Sequence, residues 1–298
     1  MRPVALAAVF LAALVGGCRS EAPGAVRDDL GRPVSLNETP GSVLPLTPSA
    51  TELVAAAAGV DRLAGVSPTD DHPPGIRGLP RFQSYPLDTE AAVALRPGLA
   101  VGSDDVIPTD VADGLAALGV PTYLFSFDRV ADVPRALRTL DTLLDVRGGA
   151  AAAADFERRV RAVETAVQTF QRPRVLLLIG DAEGVLYAFG RDSYASELVR
   201  LAGGQNVTDV FEGRAAQPSE EAVLELAPEV IVVAGEAAYR AADLVGNHPA
   251  FAQLPAVQNG RVYGIEGDLV LRPGPRIAQG LERLARLLHP EAFAAGAA

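Results

Sequence analysis

Apolar residues in this chain fall into short runs separated by stretches of helical period, and that alternation sets the expected architecture. Val43 to Leu46, Leu63 to Val66, Leu99 to Val101 and Thr122 to Phe125 read as buried strands, each followed by helix or turn signals. Ser49, Ala50, Thr51 and Glu52 have capping-box spacing and open a helix predicted to end near Gly59. A second helix is predicted to end near Gly119, ahead of a turn to Pro121. Such an order implies βα units around a parallel sheet.

Between Gly148 and Arg172 the pattern becomes one long helix. Phe156, Val160, Val163, Val167 and Phe170 recur at spacings of four and three, while Glu157 and Arg161 form an i,i+4 pair on another face. At 1.5 Å per residue such a helix is roughly 30 Å long, enough to bridge two lobes. After Pro173 the βα rhythm resumes, with strands at Val175 to Ile179, Val230 to Val233 and Val262 to Ile265. Helices are expected near Ser193 to Leu201, Ser219 to Leu226 and Ile277 to Leu288. No short-period repeat occurs, which argues against a solenoid. The expected fold class is therefore α/β, in two lobes, each a mainly parallel sheet flanked by helices, joined by one long rigid helix.

The amino terminus carries a different signal. Arg2, an apolar run from Val4 to Val15, and Gly16-Gly17 before Cys18 are the parts of a secretory leader, too short to span a bilayer. The cysteine directly after the small residues marks the bacterial lipoprotein variety, with cleavage before Cys18 and acylation of it; the plain alternative is an ordinary leader with an incidental cysteine. The expected division is 1–17 signal peptide, 18–40 lipidated flexible stalk, 41–147 first lobe, 148–172 connecting helix and 173–298 second lobe. The expected location is extracytoplasmic, tethered through lipid.

Composition narrows the function. Cys18 is the only cysteine, so no intramolecular disulfide can form and the apolar core must hold the fold. An apolar content of 49% suits that task. Net charge is -11 and the basic residues are all arginine, a poor match for nucleic acid or anionic membrane surfaces. Catalytic signatures are missing as well. No serine lies in a GxSxG elbow, Cys18 is taken by lipid, and the glycine pairs at Gly148 and Gly203 fall at helix ends rather than between strand and helix. Binding of a free transition metal would call for clustered histidine and carboxylate. The chain offers only His72, His248 and His289.

Longer segments go further. LTPSATELVAAAAGVDRLAGVS with DDHPP, LDTEAAVALRPGLAVG, GRDSYASELVRLAGGQNV, PSEEAVLELAPEVIVVAG and GRVYGIEGDLVLRPGPR span about Leu44 to His289. Together they resemble the substrate-binding proteins of ABC importers for ferric siderophores, haem and cobalamin. One departure is Gly98, where that family usually has aspartate after the proline.

The resemblance implies a non-enzymatic receptor, likewise α/β and two-lobed, that captures a corrinoid or ferric chelate between its lobes. It implies a permease and ATPase complex as partner, a monomeric state, and no resident cofactor, since any cobalt or iron belongs to the cargo. By motif position, ligand contacts fall at Ser49, Ala50, Thr51, His72, Ser84 and Tyr85 in the first lobe, and at Tyr187, Phe189, Arg191, Ser193, Asp268 and Arg272 in the second. Aromatic rings offer flat surface to a macrocycle, and arginine pairs with carboxylate or phosphate. Glu90 in LDTE and Glu221 in PSEE match the glutamates that dock on permease arginines. Haem is the alternative cargo, with Tyr85 or His72 near the iron. A sensor lipoprotein that never meets a permease is a further alternative, and the absence of tryptophan weighs against the corrinoid.

Overall fold

Val43, Leu99 and Thr122 each begin a short, fully buried strand, and these three build the sheet of the first lobe. The computed structural model describes residues 25–179 and 185–296; the expected signal peptide, Cys18 and the start of the stalk lie outside them. A hairpin of β1 (Ala25–Arg27) and β2 (Pro33–Ser35) precedes β3 (Val43–Pro45), α1 (Pro48–Ala58), α2 (Thr89–Ala94), β4 (Leu99–Ser103), α3 (Thr109–Ala117), β5 (Thr122–Phe125) and α4 (Asp132–Leu144). Strands β3, β4 and β5 pair in parallel, in that order.

Helix α5 (Gly148–Val167) leads to the second lobe. There follow β6 (Arg174–Leu178), β7 (Ala188–Phe189), α6 (Tyr194–Leu201), β8 (Gln205–Asn206), β9 (Ala215–Ala216), α7 (Glu220–Leu226) and β10 (Val230–Gly235). The chain ends with α8 (Ala241–Asn247), α9 (Pro255–Gln258), β11 (Val262–Glu266), α10 (Asp268–Leu271) and α11 (Ile277–Leu288). The central strands β11, β10, β6 and β8 run parallel, while β7 and β9 add an antiparallel edge.

Four expectations need correction. Residues 25–35 are not a flexible stalk, because Asp28 and Asp29 fasten the hairpin to β5. The Asp29 carboxylate accepts from Arg135 at 2.7 and 2.8 Å, from the Tyr123 hydroxyl at 3.1 Å and from Ser126 N–H at 2.9 Å. Leu63 to Val66 forms only isolated bridges to Val43 and Arg81, since Leu63 N–H is already committed to the turn at Val60. The connecting helix stops at Val167, five residues before Arg172. Glu157 pairs with Arg138 of α4 at 2.8 Å rather than with Arg161.

The start of α5 has a cause that lies in another helix. Asp141 of α4 accepts from Gly149 N–H and Ala150 N–H, both at 2.7 Å, satisfying two of the orphan donors of the first turn. Gly149 is required there, because a Cβ would meet the Leu137 carbonyl oxygen at 2.1 Å. Phe156, Val163 and Val167 are buried in one apolar cluster with Leu53 of α1, Leu140 of α4, Leu198 of α6 and Leu284 of α11. Burying each such side chain contributes about 1.5–3 kcal/mol, so α5 is packed against both lobes along its length rather than strung between them. At Gly98 the departure from the family pattern has a steric counterpart, since a Cβ would stand 3.1 Å from Pro40 Cα.

Candidate ligand-binding site

Asp104 directly follows β4, and Ser126 and Asp128 follow β5, so the carboxyl ends of the first lobe's strands present acceptors. Arg214, in the turn before β9, reaches them from the second lobe. Its guanidinium donates to Asp128 at 2.6 Å, to the Ser126 hydroxyl at 2.8 Å and to Asp104 at 3.2 Å. Arg272, just past β11 and α10, crosses at another point, donating to Asp71 at 2.7 Å and to the Thr69 carbonyl at 3.4 Å, and pairing with Asp268 at 2.9 Å. The two lobes therefore face one another across the carboxyl edges of their parallel strands, where open α/β sheets bind ligands.

Two further contacts join the lobes, the first of them buried against α5. Glu52 of α1, its side chain 3% exposed, receives Arg276 at 2.7 and 3.0 Å. Glu197 of α6 accepts Val130 N–H at 2.7 Å and pairs with Arg129 at 3.5 Å. Burial pushes the Glu52 carboxyl above its ordinary range even though Arg276 pulls it down. Asp70 is raised for the same reason, against hydrogen bonds from Ser67 and Thr51. For Asp71 burial also works upward, but Arg272 outweighs it and holds that carboxyl low. Arg214 and Arg276 lose charge stability to burial and regain more from their carboxylates.

The structure divides the residues proposed from motif position. Ala50 and Thr51 are closed inside the first lobe, Thr51 at 0% exposure with its hydroxyl on Asp70, and Ser49 bonds to Thr47. All three side chains are buried, so the ligand contacts expected at Ser49, Ala50 and Thr51 have no exposed surface to rest on. Thr47, not Ser49, caps α1 by accepting Ala50 N–H, which frees Glu52 from any capping box and leaves it for Arg276. His72 also turns away from the strand ends. It lines a cavity of about 300 Å³ with Glu52, Phe156, Arg159 and Arg276, on the side of α5.

Tyr85 and Tyr187 stand out in solvent at 69% and 44% exposure, while Ser84 is buried. Phe189 is 8% exposed and packs on Tyr194, with ring centroids 6.3 Å apart, so it belongs to the core. Ser193 is spent capping α6, accepting from Ala195 N–H at 3.1 Å. Arg191 is exposed and paired with Glu212 at 2.5 Å. Asp268 and Arg272 sit together at the groove, and Gly235, Glu266, Gly267 and Leu269 join Asp268 around a cavity of about 610 Å³.

Asp71, Asp104, Asp128 and Arg214 were absent from the motif-based set. Asp104 and Arg214 are 110 positions apart, and no periodicity links residues at that distance. Glu90 and Glu221 lie exposed in the first turns of α2 and α7, behind the caps Asp88 and Ser219. Its own backbone N–H and the Ser219 hydroxyl hold the Glu221 carboxyl below its ordinary value.

A family profile described as periplasmic binding protein matches residues 43–269. A substrate-binding lipoprotein of an ABC transporter from Bacillus subtilis, YvrC, is 22% identical over 281 residues, 91% of this chain and 87% of that protein. The crystal structure of the periplasmic vitamin B12 binding protein BtuF of Vibrio cholerae superposes with a TM-score of 0.73 at 26% identity, covering 86% of this chain and 99% of that one. A periplasmic heme binding protein from Pseudomonas aeruginosa gives 0.74 at 28% identity, over 84% and 93%.

Proposed function

Since the chain belongs to the periplasmic binding protein family, whose members are transport receptors rather than enzymes, we propose that it is a lipid-anchored receptor that takes up a corrinoid or ferric chelate between its lobes. The cargo is handed to the permease and ATPase complex of an ABC importer, with Glu90 and Glu221 as the docking charges. The observation that carries this reading is the pair Tyr85 and Tyr187, two large rings left exposed on loops of opposite lobes. Exposed rings together with polar anchors such as Asp268 and Arg272 are what a broad macrocycle needs. The vitamin B12 protein of Vibrio cholerae supports a corrinoid, and so does the charge of the first lobe's edge. Asp71, Asp104, Asp105 and Asp128 would repel a cargo bearing carboxylates and accept from one bearing amides.

Haem is the second reading. The exposed Tyr85 phenol favours it, because tyrosinate can ligate iron, and the Pseudomonas aeruginosa heme binding protein resembles this chain. The anchor is read at Cys18, as the lipoprotein from Bacillus subtilis suggests by analogy.

Titrating the purified protein with cyanocobalamin, haemin and a ferric hydroxamate, followed by tyrosine fluorescence and visible absorbance, separates these cargoes. At least one should bind with Kd below about 10 μM, near -7 kcal/mol. Failure of all three would overturn the transport reading. Palmitate labelling of the wild type that Cys18→Ala abolishes would uphold the anchor, and an unlabelled wild type would refute it.

A further inference from the structure

Arg214 of the second lobe holds acceptors that follow two different strands of the first. It engages Asp104 after β4 and Ser126 and Asp128 after β5. The arrangement around it is built on both sides. In the second lobe, Gly190 N–H donates to the Arg214 carbonyl at 3.1 Å and Gly213 N–H to Asp192 at 2.7 Å, so the turn bearing Arg214 is tied to the segment between Phe189 and Ser193. In the first lobe, Ser126 donates its hydroxyl to Asp104 at 3.0 Å and its N–H to Asp29, while Arg135 holds its carbonyl at 2.9 Å. The hairpin that opens the described chain thus fixes the residue on which Arg214 closes.

This contact differs in kind from the one at Glu52. Glu52 and Arg276 are buried against α5, whereas the Arg214 side chain is 38% exposed and Asp128 is 55% exposed. If the lobes part about the inner pair, the outer one breaks.

We propose that Arg214 is the gating and specificity residue of the groove. It occupies the Asp104 and Asp128 carboxylates and yields them to cargo whose own donors take its place. Amide or ammonium groups on a chelate replace the guanidinium on those two carboxylates and leave every acceptor satisfied. A carboxylate-bearing cargo has no donor to put in its place, and pairing with Arg214 instead would leave the two acids bare beside it. The gate therefore admits donor-rich chelates without net negative charge. This rests on the groove being a cargo site, but its first test needs no cargo.

Nitroxide labels at Ala117→Cys and Ala242→Cys, both exposed and on opposite lobes, in a Cys18→Ala background, report the distance between lobes by pulsed electron resonance. Arg214→Gln should raise the long-distance population about two- to fivefold, the range for losing an exposed ion-pair network. The pair Asp104→Asn and Asp128→Asn should do the same, and 0.5 M NaCl, on the order of a fivefold cut in screening length's square from low-salt buffer, should open the wild type but neither variant. Distributions identical to wild type in both variants, with unchanged circular dichroism, would overturn the gate. In the second arm, Asp104→Asn with Asp128→Asn should narrow the preference for cyanocobalamin over haemin; an unaltered ratio would overturn the selectivity. A protein that opens as described yet binds neither probe would refute the cargo reading and leave the gate standing.

Discussion

Arg276 sets two nitrogens on the Glu52 carboxylate, at 2.7 and 3.0 Å, and so joins the two lobes beside α5. Truncating one member of a buried pair strands the other. Arg276→Ala should therefore cost about 3 kcal/mol in urea denaturation at neutral pH. The loss should shrink as pH is lowered, because burial raises the Glu52 carboxyl and a protonated Glu52 needs no partner. An equal loss at lower pH would contradict the assignment.

Wild-type stability carries the same signature. Burial holds Glu52 and Asp70 above their ordinary values of 4.5 and 3.8, so the folded chain keeps these protons where the unfolded chain has released them. With more protons bound in the native state, stability falls as pH rises. The contribution is full below the unfolded values and is lost as pH climbs through the raised folded ones. The unfolding free energy of wild type minus that of Glu52→Gln, measured from pH 4 to 7.5, should decline steadily with pH; a flat or rising difference would contradict the shift.

Exposed and buried aromatics should separate two properties. Tyr85→Ala and Tyr187→Ala should each weaken cargo binding about tenfold, the loss expected of an aromatic anchor, with no change in Tm. Phe189→Ala should instead cost about 3–5 kcal/mol of stability, because its ring is packed on Tyr194. Calorimetry and titration on the three variants check both halves.

Glu90 and Glu221 are solvated and hold no part of the core. Glu90→Arg with Glu221→Arg should abolish permease-coupled uptake of labelled cargo while Kd stays within about twofold, since exposed charges set docking register more than affinity. Uptake equal to wild type would remove the docking role.

Local physics made the lobes legible. Strands such as Thr122–Phe125 and Val230–Gly235 are continuous apolar runs, and Phe156, Val163 and Val167 mark the packed face of α5 in sequence as they do in space. What the sequence hid was long-range. The capping-box pattern at Ser49 to Glu52 misassigned Glu52, whose partner is 224 positions away. Asp28 and Asp29 look like turn residues, and only β5 and Arg135, folded beside them, turn that segment into part of the lobe. Arg214 sits in an unremarkable FEGRAA stretch, and its partners come from two separate loops. Motif position brings up Asp268 and Arg272, which pair with each other where the lobes meet, together with Ala50, Thr51 and Phe189, whose places in α1 and β7 turn them inward.

Amide hydrogen exchange with and without saturating cyanocobalamin, or whichever chelate the titration selects, tests the account most directly. Cargo held between the lobes should slow exchange on both faces together, around residues 84–87 and 126–129 in the first lobe and 187–193 and 266–272 in the second. Binding that protects only one lobe, or that protects neither, would contradict a cargo site between them.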